Sequence, residues 1–252
     1  TTTVTATFAN PPQRVVKLRF ENGTTTLATP DQLYRVLDPQ DYSTRWCAAK
    51  DLADAIVLTP GEHSFSTLPV DPLPADDPDA VKAYVCGLLV AEGSISDRKN
   101  KNSRRVSIGM TDQVPLKIVT DFCDSVGVQW SRTVREPPKN KPNWHTFYGV
   151  RFTASKKNKE ISWAFPICKP KSNHKYVPKW VLADRRLHLP FIAGFMDGDG
   201  FVRKVKREAI FVSISRRLLR QISGMLLQYG VTAQIYRMRP AKPDLHWHAC
   251  YA

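Results

Sequence analysis

Several features are missing from this chain of 252 residues, and each absence narrows what it does. Long apolar runs are absent. Val85–Val90 is among the longest, against the roughly 20 residues that a spanning helix requires, so no membrane partner is expected. The stretch Thr1–Asn10 has neither a basic region nor an apolar one, so it does not read as a signal peptide. The five cysteines (Cys47, Cys86, Cys123, Cys168, Cys250) are odd in number and scattered, with no CxxC pair and no zinc-ligand spacing. They read as reduced thiols of an intracellular protein, whether in cytoplasm, nucleoid or nucleus. Acid is scarce where it matters most: residues 81–252 hold 31 Lys and Arg against 12 Asp and Glu, a net of +19. Residues 1–80 hold 6 against 11, a net of −5. A body that basic repels itself unless a polyanion neutralises it, and nucleic acid is the usual one. What is present, 42% hydrophobic and 24% charged residues, is the composition of a folded chain and excludes wholesale disorder.

The charge switches sign at Val70–Ala80, VDPLPADDPDA, with three prolines and four aspartates in eleven residues. Proline removes backbone donors and fixes φ, so this segment reads as a linker over 70–80. Ahead of it lies a small, mainly β piece over 1–69. Val15–Phe20 and Thr24–Ala28 flank the turn Glu21-Asn22-Gly23 as a hairpin.

Behind the linker the chain repeats itself. Tyr84–Gly93 (YVCGLLVAEG) and Phe191–Gly200 (FIAGFMDGDG) each end on an acid and a glycine, with Gly87 and Glu92 matching Gly194 and Asp199 at an offset of 107. Val-Ser-Ile follows in both copies, at 106–108 and 212–214, an offset of 106. Amphipathic helices are predicted over Val114–Val126 and Arg217–Tyr229, each followed by Gly-Val as for a glycine C-cap. Further strands are predicted over Gln129–Arg135 and Thr146–Thr153, and over Ala233–Arg239 and His246–Tyr251. Each copy reads αββαββ, and two copies are expected to pair about a pseudo-two-fold axis, since one sheet cannot bury its own apolar face. The expected division is 81–185 and 186–252, the second copy short at its C-terminus.

The small residues Ala83, Gly87 and Ala91 recur every four positions, as do Gly194 and Gly198, which places them on one helix face where two backbones can approach. Glu92 and Asp199 then stand in the last turn. A carboxylate there faces the negative end of the helix dipole, a placement that makes sense if a hard divalent cation binds. Two such tips side by side would gather both acids at one spot. Either tip alone reads as an ordinary exposed helix end; the matched pair on a basic body does not.

These residues resemble the two signature motifs of LAGLIDADG homing endonucleases in the two-motif, monomeric form. The match is close at Ile192–Gly200. In the first copy Val90 stands in place of the earlier acid and Glu92 in place of the terminal Asp. The resemblance implies an α+β fold with saddle-shaped DNA-binding sheets, and a monomer that makes metal-dependent double-strand breaks in a long DNA site, leaving 3′ overhangs. It implies Glu92 and Asp199 as metal-binding and catalytic acids, helped by the carbonyls of Ala91 and Gly198, with Mg²⁺, or Mn²⁺ in its place. Asp197 resembles a structural helix-end acid. Lys175, three residues before Pro178, fits the catalytic lysine of intein-type members, among neighbours Lys169, Lys171 and Lys179; an equivalent for the second copy would fall beyond Ala252. A nucleic-acid binder of the same fold, such as a maturase or a regulator, is the alternative.

The candidate DNA contacts are Arg104, Arg105, Arg132, Arg135 and Arg151 in the first copy, with Arg203, Lys206, Arg207, Arg237 and Arg239 in the second, since a two-stranded ribbon fits the major groove and arginine bonds guanine there. His246 and His248 share a strand face, and no third metal ligand accompanies them. Residues 1–69 resemble part of an intein (Hint) splicing domain at Glu21–Val36 and Trp46–Leu52. Gln32, however, takes the place of the motif's histidine, Thr1 that of a nucleophile, and Tyr251-Ala252 that of the closing His-Asn, so splicing by this chain is not expected.

Overall fold

The computed structural model describes residues 11–20, 25–37, 43–53, 55–57, 73–96, 104–141, 143–205, 208–231, 233–237 and 248–251, and the side chains of 37, 56, 96, 237 and 248–251 lie outside the description. The chain divides into two compact units, residues 1–65 and 66–252. The expected linker residues 70–72 and all of 58–69 fall outside the described residues.

The first unit is mainly β. Strands β1 (Val16–Arg19) and β2 (Thr25–Ala28) form the antiparallel hairpin read from the sequence. Strands β3 (Leu33–Leu37), β4 (Thr44–Ala48) and β5 (Ile56–Val57) form a second sheet in the order β4-β3-β5.

The second unit opens with α1 (Pro78–Glu92). The acidic, proline-rich stretch thus runs into a helix three residues before its expected end. Pro78 sits in the first helical turn, where its missing N–H is unneeded, and the Asp77 carboxylate caps the N–H groups of Asp79 and Ala80. Then follow β6 (Ser94–Ser96), β7 (Arg105–Met110), α2 (Gln113–Ser125), β8 (Trp130–Arg135) and β9 (Phe147–Thr153). Two short helices, α3 (Ala164–Cys168) and α4 (Lys179–Ala183), connect to α5 (His188–Asp199). The pattern then recurs as β10 (Gly200–Arg203), β11 (Glu208–Ser213), α6 (Arg216–Leu227), β12 (Gln234–Arg237) and β13 (His248–Tyr251). The two sheets share one strand order, β6-β7-β9-β8 and β10-β11-β13-β12, all antiparallel.

Among the described elements α1 and α5 pack most extensively, and the core spreads from them. Val85, Leu88, Leu89, Phe191 and Phe195 are fully buried. The glycine faces do what their spacing predicts. A Cβ at Gly87 would collide with the carbonyl of Phe191 and stand 2.8 Å from the Phe195 nitrogen, and one at Gly194 would collide with the carbonyl of Tyr84. The helices meet backbone to backbone.

The glycines that end the helices are of two kinds. Gly127 and Gly230, after α2 and α6, have φ of 66° and 75°, the left-handed conformation of a glycine cap. Gly93 and Gly200 do cap α1 and α5 but have φ of −68° and −117°, open to any residue. Space keeps them glycine: a Cβ at Gly93 would stand 2.7 Å from the Cys168 sulfur, and one at Gly200 2.7 Å from the Met196 carbonyl.

The Val-Ser-Ile triplets are not equivalent in space. Ser94 pairs with Ser107, and its counterpart 107 residues on, Phe201, pairs with Ile210. The second strand of each copy therefore corresponds at an offset of 103. An odd shift reverses the faces: Val106 and Ile108 point into the core, whereas Phe211 and Ala209 take those places in β11 and Val212 turns to the opposite side. Cys47, Cys86, Cys123 and Cys168 are buried free thiols, and no described helix is long and apolar enough to cross a membrane.

Candidate active site

The C-terminal tips of α1 and α5 lie together. A Cβ at Gly198 would press into the Ala91 side chain and stand 3.3 Å from the Glu92 Cγ. Glu92 and Asp199 are close enough that the charge of Asp199 acts on Glu92. The Glu92 carboxyl is pushed above its usual range, first by loss of hydration and then by Asp199, with Lys175 opposing. Asp199 is raised by loss of hydration, again opposed by Lys175. Two carboxylates crowded at the negative ends of two helix dipoles repel each other unless a cation joins them.

Lys175 supplies part of that charge. It follows a short turn, Ser172–His174, and its ammonium donates to the Ala91 carbonyl at 2.6 Å. The sequence alone links Lys175 to the acids only through its spacing from Pro178; the structure brings it to the first tip. The Ala91 carbonyl, expected as a metal ligand, already accepts this bond.

Asp197 separates cleanly from Asp199. Its carboxylate accepts from the Tyr84 hydroxyl at 2.5 Å across the helix pair, and burial together with Asp197 raises the Tyr84 phenol, which stays a donor. The equivalent positions, 107 residues apart, are Val90 and Phe191, both apolar and buried. Acid and hydroxyl are present together on one side of the interface and absent together on the other. Tyr84 has no signal of its own in the sequence, because only this cross-helix pairing gives it a role.

The sheet of the first copy has two different faces. Val106, Ile108, Val150 and Phe152 are buried on one. The other carries Arg105, Ser107, Ser131, Thr133, Arg135 and Arg151, by the alternation of side chains along paired strands. A groove of about 370 Å³ runs along this open face, lined by Ser107, Thr133, Arg135, Phe147 and Arg151 and reaching Glu92. The Arg135 guanidinium lies 5.9 Å from the Phe147 ring.

Arg132 and Arg104 belong elsewhere. Arg132 pairs opposite the buried Val150 and so lies on the helix side, bonded to the Gln113 amide at 2.5 Å and stacked 5.2 Å from Tyr148. Arg104 stands 5.0 Å from the ring of Phe165 in α3. A count of basic residues that assigns no faces groups them with the rest. In the second copy Arg203 forms an ion pair with Glu208 at 3.2 Å, on the same face as Phe201 and Ile210. Lys206, Arg207, Arg239 and His246 lie outside the described residues, and the side chains of Arg237 and His248 are not described.

Among the described residues no group of three or more His, Cys, Asp or Glu is placed to hold a metal ion. Two carboxylates suffice for Mg²⁺, which keeps most of its waters and accepts substrate phosphates as further ligands. The crowded pair Glu92 and Asp199 fits that requirement.

A family model described as a LAGLIDADG-like domain matches residues 187–249. The chain is similar to the DNA gyrase A polypeptide of Mycobacterium kansasii, 24% identical over 174 residues, which are 68% of this chain and 30% of that one. It is also similar to the DNA gyrase A polypeptide of Mycolicibacterium flavescens, 28% identical over 189 residues, 71% of this chain and 32% of the other. The chain thus spans about a third of the length of these curated relatives. Its fold is like that of the homing endonuclease I-DmoI in complex with DNA and Mn, with a TM-score of 0.50 and 18% identity over 69% of this chain and 90% of that one. The complex of I-DmoI with DNA and Ca gives a TM-score of 0.50 and 18% identity over 70% and 84%.

Proposed function

We propose that this chain is a site-specific, metal-dependent DNA endonuclease in which two pseudo-two-fold related αββαββ copies share one active site. The observation that carries it is the meeting of Glu92 and Asp199 at paired helix tips with Lys175 alongside. Glu92 and Asp199 present carboxylate oxygens toward a divalent cation, Mg²⁺ or Mn²⁺. When bound, that ion supplies Lewis-acid polarisation of a phosphate and an acidified water. Lys175 offsets negative charge developing on the scissile phosphate, from a position already set before substrate arrives. The open face of the first sheet, with Arg105, Arg135 and Arg151, takes the duplex in its groove. The longest strand of that sheet, β9, has seven residues; at roughly 3.4 Å each they cover about seven base-pair steps, and two such sheets somewhat more than one turn of DNA.

The gyrase A relatives, matched over about a third of their length, support reading this chain as part of an intein carried by such a host. The first unit is then a Hint-like piece in which Gln32 lacks the acid–base function of a histidine. The DNA target to test is gyrase A coding sequence without the insertion, together with a randomised duplex library. In Mg²⁺ the chain should cut both strands at a defined site. Glu92→Gln and Asp199→Asn should each remove cutting while Ca²⁺-supported binding persists. Cutting that survives both changes would overturn the assignment.

A further inference from the structure

We infer that Ser215, the N-cap of α6 in the second copy, and Gln221 within that helix are positioning residues for Lys175; this rests on the endonuclease reading above. Lys175 and Pro178 both have φ of −59° and ψ of 148°, the extended polyproline conformation, which forms no internal hydrogen bonds. The backbone groups of such a segment must be satisfied from outside. Here α6 satisfies them. The Ser215 hydroxyl donates to the Lys175 carbonyl at 2.6 Å, and the Gln221 amide oxygen accepts from the Val177 N–H at 2.9 Å. Between them the Arg217 guanidinium stands 4.9 Å from the Tyr176 ring. Pro178 ends the segment, having no donor to satisfy.

Ser215 is fully buried and itself fixed. Its N–H donates to the Ser213 hydroxyl at 3.1 Å, and its hydroxyl oxygen caps α6 by accepting from Leu218 at 3.3 Å. A lysine has four rotatable carbons and loses aim if its backbone drifts. The clamp on the carbonyl of Lys175 and on the Val177 amide sets where the ammonium can reach, 2.6 Å from the Ala91 carbonyl in the first copy. The second copy therefore aims the lysine that serves the first copy's tip.

The test uses the full chain and the duplex recovered by selection. Ser215→Ala removes the hydroxyl; Gln221→Met keeps the shape but removes the acceptor, without touching the α6 cap. Each should slow single-turnover cleavage by about tenfold to 100-fold, the range expected from misplacing a catalytic group by up to an ångström. Binding in Ca²⁺ should be unchanged. Gln221→Glu, which keeps an acceptor, should restore most of the rate. In a Lys175→Met background neither change should slow cleavage further. In the metal-free protein, Gln221→Met should speed hydrogen exchange at the Val177 amide. If Lys175→Met is slow while Gln221→Met cuts at the wild-type rate, or if the losses multiply in the Lys175→Met background, the clamp is refuted and the endonuclease reading stands. If Lys175→Met cuts at the wild-type rate, the clamp is likewise refuted and the endonuclease reading stands; if the wild-type chain does not cut, both fall.

Discussion

Gly87 on α1 and Gly194 on α5 are reciprocal: a Cβ on either would strike a carbonyl oxygen of the opposite helix, that of Phe191 or that of Tyr84. The obstacle is backbone on both sides, so no rotamer change relieves it. Gly87→Ala and Gly194→Ala should each cost about 1–3 kcal/mol, seen as a lower melting temperature, and should abolish cleavage by spreading the acid tips. Gly224, in α6, has nothing within 4 Å of where its Cβ would stand. Gly224→Ala should stabilise by about 0.5–1 kcal/mol through helix propensity. Equal melting of all three variants would contradict the close packing.

Asp197 and Asp199 stand two residues apart and should behave differently on mutation. Tyr84→Phe removes the hydroxyl that donates to the Asp197 carboxylate. With Asp197 exposed to water, the cost should be about 1 kcal/mol, near the net value of an ordinary hydrogen bond. Cleavage, measured as a single-turnover rate at saturating metal, should stay within a few-fold of wild type, in contrast to Asp199→Asn. A loss as deep as that of Asp199→Asn would place Asp197 in the chemistry.

The acid pair also predicts a trade of stability for function. Burial raises both carboxyls, and Asp199 adds to the rise at Glu92. A group whose folded value is raised contributes stability that is fully present below its unfolded value, about 4 for these acids, and lost as pH climbs through the folded value. Once the pH has climbed past both folded values and no metal is present, the folded state bears their repulsion. Glu92→Gln and Asp199→Asn should therefore raise the melting temperature in chelator, by roughly 2–4 °C for each kcal/mol relieved. The gain should shrink near pH 4, and Mg²⁺ should stabilise the wild type more than either variant. A lower melting temperature in chelator would contradict the crowding.

Arg135 and Arg151 lie on the open face of the first sheet, Arg104 and Arg132 on its helix side. If the open face takes the duplex, Arg135→Ala and Arg151→Ala should weaken binding and each flatten the salt dependence by about one unit of slope for a lost phosphate contact. Arg104→Ala and Arg132→Ala should leave the slope unchanged. Equal effects from all four would mean that DNA lies elsewhere.

The acid-glycine tips and the four-residue glycine spacing are legible in the sequence because both are local and periodic, and the helix pair forms as that spacing requires. Register is not legible. The Val-Ser-Ile triplets look like equivalents, but the number of residues between the first two strands differs in the two copies, which moves the true match by three residues and so to the other face. Arg132 escapes a sequence reading for the same reason: its neighbours give no clean alternation, and only the pairing with Val150 assigns its side. Ser215 carries a readable signal as a helix cap before an amphipathic run. Its second bond, to a carbonyl 40 residues away, carries none.

The bond from Ser215 to Lys175 has a practical corollary for anyone recombining such proteins. A chimera joining the front half of one relative to the rear half of another would separate the connector from the helix that seats it. Transplanting residues 172–178 together with 213–221 as one cassette keeps donor and acceptor matched, whereas a crossover at the start of α5 leaves that seating to chance.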